Sequence, residues 1–109
     1  MKASLILTSA ILSFSGIVSA VELQCWGTGV PSGIRQGDLE WARKNRSAEL
    51  GIPGNTKYNF RYKTCIDPDN NGHPVLVITI PRVTKDGSTR LASGTIECSS
   101  RGGPPDSTC

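Results

Sequence analysis

The sequence has little histidine, little net charge and no long apolar run beyond its first twenty residues. His73 is the only histidine, and no two of the four cysteines have CxxC spacing, so a zinc site is not expected. The formal net charge of +3 is too mild to require nucleic acid or an anionic membrane as partner. A membrane span needs about 20 apolar residues, and no segment after residue 20 supplies them. We therefore expect no metal, no cofactor and no membrane contact.

The first twenty residues, MKASLILTSAILSFSGIVSA, are typical of a secretory signal peptide. Lys2 precedes an interrupted apolar run over residues 5–18, and Val18 and Ala20 are small residues at the −3 and −1 positions. We predict cleavage after Ala20, which leaves residues 21–109 as a single secreted domain. Without Lys2, 11 basic and 9 acidic residues remain, so the net charge of that domain is about +2.

The four cysteines predict two disulfides. Their number is even and they lie in a chain predicted to be exported, at Cys25, Cys65, Cys98 and Cys109. A domain this short buries a modest core and often needs covalent support. Each bridge contributes about 2–4 kcal/mol against a total stability of about 5–15 kcal/mol, so we expect folding to depend on them.

Local patterns predict an α+β domain in which one short helix packs on a small antiparallel sheet. Several glycine and proline residues over 21–37 predict an extended arm and a loop. Asp38 as N-cap and Gly51 as a stop signal predict a helix over 38–50. The side of this helix expected to face the sheet carries Leu39, Ala42, Arg46 and Leu50.

Three strands are predicted after the helix. Residues 57–63 alternate aromatic and basic side chains, which is the period of a strand with two different faces. Residues 75–80 form a continuous apolar run, typical of a strand that is buried on both faces. The segment 85–88, Lys-Asp-Gly-Ser, predicts a hairpin-type turn before a third strand over 90–98.

The segment between the first two of these strands resembles a calcium loop in part. Asp67, Asp69, Asn71 and Gly72 match its first, third, fifth and sixth positions, but Ile78 stands where a bidentate carboxylate is required. Proline and Asn-Gly in this segment suit a turn. We therefore predict a polar loop and no calcium.

Two further groups of residues carry side chains suited to RNA cleavage or to RNA binding. His73 with Asp67 or Asp69 could supply an acid and a base for RNA cleavage, but all three lie within one loop. The strand over 57–63 could stack bases and hold phosphates, but its aromatic and basic side chains point to opposite faces. We therefore predict that Tyr58, Phe60 and Tyr62 belong to the core and that the basic residues are solvated.

The helix carries a glycosylation sequon, Asn45-Arg46-Ser47, which makes Asn45 eligible for an N-linked glycan. The basic cluster over 43–46 surrounds it. We predict that this cluster is a solvated helix face and not a nuclear localisation signal.

The order of motifs resembles a known group of proteins. The helix opens with Asp38-Leu39, and further matches are Gly54–Tyr58 with Tyr62, Arg82-Val83, Leu91-Ala92 with Gly94 and Ile96, and the terminal Cys109. Over most of the secreted domain this order resembles small fungal extracellular ribonucleases, and more closely the catalytically degenerate, ribonuclease-like effectors that pathogenic fungi secrete. The resemblance implies a bridge from Cys25 to Cys109, which leaves Cys65 to pair with Cys98.

The departures from the ribonuclease pattern concern the catalytic residues. The ribonucleases carry a histidine just after the first tyrosine, where this chain has Asn59 and Phe60. Their glutamate in the central strand has no counterpart in the uncharged segment 75–80, and Cys98 lies near the place of their second histidine. Of the functional residues in the ribonuclease pattern, only Arg82 is present, and the resemblance implies that it contacts a phosphate. Loss of each proton transfer removes about 10²–10⁴ in rate, so the resemblance implies no RNA cleavage.

A second resemblance rests on Cys25-Trp-Gly-Thr-Gly29 followed by a helix and strands. This order is similar to small fungal killer-toxin-like secreted proteins, which are α/β sandwiches with more than two disulfides. Both resemblances imply a small, secreted, disulfide-stabilised fungal protein.

The expected function is that of a non-catalytic secreted effector of a plant-associated fungus, monomeric, which binds a host macromolecule outside or inside the host cell. A host protein is the first candidate partner and RNA is the second. The alternatives are an antimicrobial or killer-type toxin and a weak ribonuclease. The candidate contact residues form an expected basic face of Lys57, Arg61, Lys63 and Arg82.

Overall fold

A computed structural model describes residues 20–30, 32–66, 72–105 and 107–109. It confirms the predicted α+β class: over these residues, one helix packs on a five-stranded antiparallel sheet, and two disulfides close the fold. The elements are β1 (Val21–Thr28), α1 (Gln36–Leu50), β2 (Asn59–Ile66), β3 (Gly72–Ile80), β4 (Ser88–Leu91) and β5 (Gly94–Ser99). Within the described ranges, no helix is long and apolar enough to cross a membrane. The predicted signal peptide and the calcium-like positions 67–71 lie outside these ranges.

The centre of the sheet is β1, because the strand order is β2-β3-β1-β5-β4. The prediction of an extended N-terminal arm over this segment is therefore wrong. Leu23 pairs in register with Ile78 of β3, and Cys25 pairs with Cys98 of β5. The glycine-rich signal that suggested a loop begins only at the end of β1, where Gly29 takes a left-handed backbone with φ of 75°.

The prediction for the apolar run is confirmed. Val75, Leu76, Val77, Ile78 and Ile80 of β3 are all buried. Successive side chains of a strand point to opposite faces, so both faces of β3 are covered. Leu76, Ile78 and Ile80 join the main core under α1, and Val75 and Val77 join a second cluster with Trp26 and Cys65 on the opposite face.

The third predicted strand is two strands, and its hairpin turn lies at a different place. β4 and β5 pair with each other around a turn at Ala92-Ser93. The predicted turn at 85–88 is wrong, because this segment packs on the end of α1. A Cβ atom at Gly87 would lie 2.3 Å from the carbonyl oxygen of Glu49, and the Gly87 carbonyl accepts a hydrogen bond from Cys98 N at 2.9 Å. The lack of a side chain at Gly87 thus allows this segment to pack closely against the end of α1.

The helix begins at Gln36, two residues before the predicted start. Arg35 is the N-cap residue, and Asp38 lies in the first turn, where its carboxylate accepts a hydrogen bond from Arg35 N at 2.8 Å. The predicted stop is confirmed: Gly51 is left-handed with φ of 85°, and its N–H donates to Ser47 O at 2.8 Å. Arg46 is exposed, as predicted for the basic cluster over 43–46, and does not join Leu39 and Leu50 on the sheet side; its backbone departs from helical angles.

The helix runs across the strands from one edge of the sheet to the other. Gln36, its first residue, donates to the Tyr62 hydroxyl of β2. Glu49, near its end, accepts a hydrogen bond from the Thr89 hydroxyl of β4 at 2.5 Å. The core between helix and sheet contains Leu23, Cys25, Leu39, Ala42, Leu50, Leu76, Ile78, Ile80, Ile96 and Cys98.

The two disulfides confirm the predicted number of bridges but not the pairing that the family resemblance implied. Cys25 is bonded to Cys98, its direct partner in the β1–β5 register, with a Cα–Cα distance of 4.1 Å. Cys65 is bonded to Cys109, with a Cα–Cα distance of 5.4 Å. The implied pairing is wrong because Cys25 sits at the centre of the sheet, whereas the C-terminal tail returns to β2 at its edge.

Candidate functional site

The most unusual surface lies on β2, where three aromatic side chains point to the helix side of the sheet. Phe60 is 40 % exposed and Tyr62 is 51 % exposed, while Tyr58, just before the strand, is half-buried. Adjacent rings are in contact range, with centroids 6.3 Å apart for Tyr58 and Phe60 and 5.8 Å apart for Phe60 and Tyr62. We call Tyr58, Phe60 and Tyr62 the aromatic strip.

The prediction that the aromatic strip belongs to the core is wrong for Phe60 and Tyr62. Phe60 stands beside Ile78 and Tyr62 beside Leu76 in the sheet register. Ile78 and Leu76 are buried because β3 lies within the sheet. Among the strands that the structure describes, β2 pairs with β3 alone and lies at the edge of the sheet. The α1 helix lies closest to β4 and β5, and only its first turns reach the aromatic strip, so Phe60 and Tyr62 stay partly exposed.

The first turns of α1 fix the hydroxyl groups of the strip. Gln36 N donates to the Tyr62 hydroxyl at 2.9 Å, and Gln36 Nε2 donates to the Tyr58 hydroxyl at 3.3 Å. The Tyr58 hydroxyl donates in turn to the Glu40 carboxylate. Partial burial, and then this contact with Glu40, raise the pKa of Tyr58 above its usual 10.0. The helix thus holds the hydroxyl groups of Tyr58 and Tyr62 in place, while the rings of Phe60 and Tyr62 stay partly exposed.

Arg43 supports the strip from behind. Its guanidinium lies 4.6 Å from the centroid of the Tyr58 ring and 3.7 Å from the Glu40 carboxylate. It also donates to Pro53 O at 2.8 Å and to Thr56 O, which ties the loop after the helix to the helix itself. The prediction of a solvated face over 43–46 is wrong for Arg43, which is buried.

The four predicted basic contact residues are not gathered into one face. Arg61 and Lys63 lie on β2, on the sheet face opposite the aromatic strip, where Arg61 is 3.6 Å from the Glu22 carboxylate. Lys57 precedes β2 and lines a shallow cavity with Tyr58 and Pro81. Arg82 follows Pro81 and is exposed. The structure thus places Arg61 and Lys63 along β2, and it places Lys57 and Arg82 near the beginning of that strand.

The other candidate residues lie apart from this surface. His73 is half-buried and pairs in register with Cys65. Asn45 is exposed on α1, and its Nδ2 atom donates to Trp41 O at 2.9 Å. In the part of the chain that the structure describes, no three His, Cys, Asp or Glu side chains gather as a metal site would require.

Comparisons with protein-family models, with curated proteins and with solved structures found no match to this chain.

The sequence contained a signal for the aromatic strip, because aromatic and basic residues alternate over 57–63. What it did not contain was the position of β2 at the sheet edge, which depends on the pairing of all five strands. The support from Gln36 and Glu40 was also missed. Gln36 lies 22 positions before Tyr58 and 26 positions before Tyr62, so these contacts leave no pattern among neighbouring residues.

Proposed function

We propose that this protein is a secreted effector of a plant-associated fungus that binds a host macromolecule without catalysis. The binding surface is the aromatic strip together with the open edge of β2. A host protein is the first candidate partner and RNA is the second. The protein acts as a monomer, outside the host cell or after delivery into it.

The observation that carries this proposal is the exposure of two adjacent aromatic rings, Phe60 and Tyr62, beside hydroxyl groups that Gln36 holds in place. Aromatic side chains are enriched among the residues that dominate binding energy in interfaces. Phe60 and Tyr62 would lose water-exposed apolar surface on binding, and Tyr62 pays little entropy because its hydroxyl is already held by Gln36 N. Exposed aromatic rings that lie next to each other form an apolar patch, and such a patch is typical of an interaction site.

The chemistry around the strip favours binding over catalysis. The nearest carboxylate, Glu40, already accepts a hydrogen bond from Tyr58 and lies within ion-pair distance of Arg43. Both contacts involve the same oxygen, Oε2, so Glu40 helps to hold Tyr58 and Arg43 in place. The resemblance to degenerate ribonuclease-like effectors also supports a non-catalytic role, because Asn59 and Phe60 stand where the active ribonucleases carry a histidine.

The two disulfides are compatible with export through an oxidising compartment. Together with the predicted leader over residues 1–20, they support a secreted protein. The fungal source and the host are inferred from the resemblance described above.

The proposal is tested by measuring retention of host-tissue proteins and RNA on the immobilised protein. Phe60→Ala should weaken the affinity for the retained host partner by about 30-fold, the effect of one strong interface residue. Trp41→Ala is the matched control, because Trp41 is similarly exposed (44 %) but lies on α1 outside the strip. Equal retention by both variants would contradict the proposed surface.

Each alternative function is tested by a separate measurement. Hydrolysis of total RNA that is lost in His73→Ala would indicate a ribonuclease. Growth arrest of competing microbes by the protein alone would indicate a toxin. Expression confined to host colonisation, with neither effect, is the expected result for an effector.

A further inference from the structure

The backbone of β2 presents a row of hydrogen-bonding groups to the outside of the sheet. Ile66 N donates to Thr108 Oγ1 at 3.0 Å, and Ile66 O accepts from Thr108 N at 2.9 Å. Both backbone groups of Ile66 thus point away from β3. Since the direction alternates with each residue of an antiparallel strand, the N–H and C=O groups of Phe60, Tyr62 and Thr64 also point outward.

The register provides an independent check of this orientation. Thr64 lies opposite Pro74, and proline has no N–H to donate. A proline fits opposite a residue whose own backbone groups face outward, because that pair exchanges no hydrogen bonds. The same alternation makes Arg61 and Lys63 the residues that bond to β3, opposite Val77 and Val75.

The C-terminal tail occupies only one end of this row. Within the described part of the chain, the tail contacts β2 through Thr108 at Ile66 and through the Cys65–Cys109 bridge. The outward groups of residues 60–64 are three donors and three acceptors over about 13–17 Å. This length suits an added strand of five to seven residues, at about 3.3 Å per residue.

The side chains along this edge specify the chemistry of an added strand. Phe60 and Tyr62 lie on one face, where they would pack against apolar side chains of a neighbouring strand. Arg61 and Lys63 lie on the other face, where they would attract carboxylates. The Arg61–Glu22 ion pair is a weak competitor, since the side chains are 61 % and 60 % exposed.

A second copy of this chain is a poor occupant of the edge. Antiparallel pairing of β2 with its own copy would bring Arg61 and Lys63 of both chains onto one face. Like charges on directly opposed residues destabilise a strand pair, and cationic side chains are a common protection against edge-to-edge association.

On the basis of the proposed function, we propose that the partner is a protein that supplies an extended segment with alternating apolar and acidic residues, which adds to β2 as a sixth strand. The segment hydrogen-bonds to the outward groups of Phe60, Tyr62 and Thr64. Its apolar side chains cover the two aromatic rings, and its carboxylates meet Arg61 and Lys63.

The decisive variant pair is Thr64→Pro and Thr64→Ala. The proline removes an outward N–H without removing a bond to β3, and proline is tolerated on an edge strand in this orientation. The alanine removes the same exposed side chain and keeps the N–H. The probe is a capped eight-residue peptide of alternating valine and glutamate, with a valine–lysine peptide of equal length as control.

Binding of the valine–glutamate peptide should slow amide hydrogen exchange of Phe60, Tyr62 and Thr64 by at least about tenfold, measured by NMR. Thr64→Pro should weaken peptide binding by about tenfold, the effect of one hydrogen bond, and Thr64→Ala should leave it unchanged. The valine–lysine peptide should bind more weakly than the valine–glutamate peptide.

Several outcomes would overturn strand addition. One is equal peptide binding by the proline and alanine variants, or no slowing of exchange. Another is tighter binding of a single-stranded RNA oligonucleotide that is insensitive to Thr64→Pro. A third is a wild-type dimer, seen by light scattering, that Thr64→Pro converts to a monomer.

The host-partner measurement separates the two proposals. If Phe60→Ala loses the host partner but Thr64→Pro retains it, the binding surface stands and strand addition fails. If both variants retain the partner, the binding surface fails as well.

Discussion

Arg43 shows how one residue can connect three parts of this fold. Its side chain is buried, stacks on Tyr58, and donates to two carbonyl groups of the loop that follows α1. Sequence reasoning assigned it to a solvated basic cluster, because Arg43, Lys44 and Arg46 are neighbours in the chain. Helical geometry separates them: only Arg43 shares the buried side with Leu39 and Leu50.

Replacement of Arg43 should therefore be costly. Arg43→Met keeps the apolar stem but leaves the carbonyl oxygens of Pro53 and Thr56 without their donor, so we expect a loss of about 2–4 kcal/mol in the free energy of unfolding. Chemical denaturation measures this loss. Lys44→Met is the control, since Lys44 is exposed and its replacement should change stability by less than about 0.5 kcal/mol. Similar values for the two variants would contradict the role assigned to Arg43.

Asp86 fixes the segment that follows β5. Its carboxylate accepts hydrogen bonds from Ser100 N and Ser100 Oγ, both at 2.9 Å. The backbone hydrogen bond from Ser100 is the main cause that lowers the pKa of Asp86 below its usual 3.8. A lowered pKa means that the ionised form stabilises the folded state above the unfolded-state pKa, and that this contribution disappears as pH falls through the folded-state value.

Asp86→Asn should thus lower stability at pH 7 by about 1 kcal/mol, the difference between a charged and a neutral acceptor. The difference between wild type and variant should shrink as the pH falls below 3.8. Thermal unfolding at pH 7 and pH 2.5 measures both quantities. A difference that is constant with pH would show that the charge of Asp86 does not contribute.

At the scale of elements, sequence patterns predicted those features that depend on neighbours in the chain. Gly51 ends α1 as expected, and the apolar run of β3 is buried on both faces. The central position of β1 was not predictable in this way, since it arises from pairing with β3 and β5, about 50 and 70 residues further on. The exposure of the aromatic strip has the same origin: alternation indicates two faces of a strand, but not whether another element covers them.

The assignment of outward and inward backbone groups on β2 predicts two very different proline substitutions. Lys63→Pro removes an N–H that bonds to β3 and should cost about 3 kcal/mol or more. Thr64→Pro removes an outward N–H and should cost less than about 1 kcal/mol. Denaturation of the two variants measures the difference. The reverse order of stability would show that the register of hydrogen-bonded pairs is shifted by one residue.

At the scale of the whole molecule, the two disulfides join different parts of the fold. Cys25–Cys98 lies within the core and links sequence positions 73 residues apart. Cys65–Cys109 links positions 44 residues apart and holds the tail beside the sheet edge. The number of bridges followed from the count of cysteines. Their pairing did not, because it depends on which strands are neighbours in the sheet.

Stepwise reduction should distinguish the two bridges. Cys109 is exposed, whereas Cys25 and Cys98 are buried, so a mild reductant should open Cys65–Cys109 first. We expect this step to reduce stability by about 2–4 kcal/mol and to speed exchange of the Ile66 amide, which loses Thr108. Mass spectrometry after alkylation identifies the bridge that opens. Prior opening of Cys25–Cys98 would contradict the burial described here.

The return of the tail to β2 has a practical consequence for protein engineering. A fusion partner or affinity tag after Cys109 would emerge next to Ile66. One joined directly to Val21, in the place of Ala20, would emerge beside Lys57 and Asn59, which line the same cavity as Ala20. Either attachment would crowd the strand whose ligands are sought. Surface capture through the Ala92-Ser93 turn, at the far edge of the sheet, would leave that strand accessible to screening.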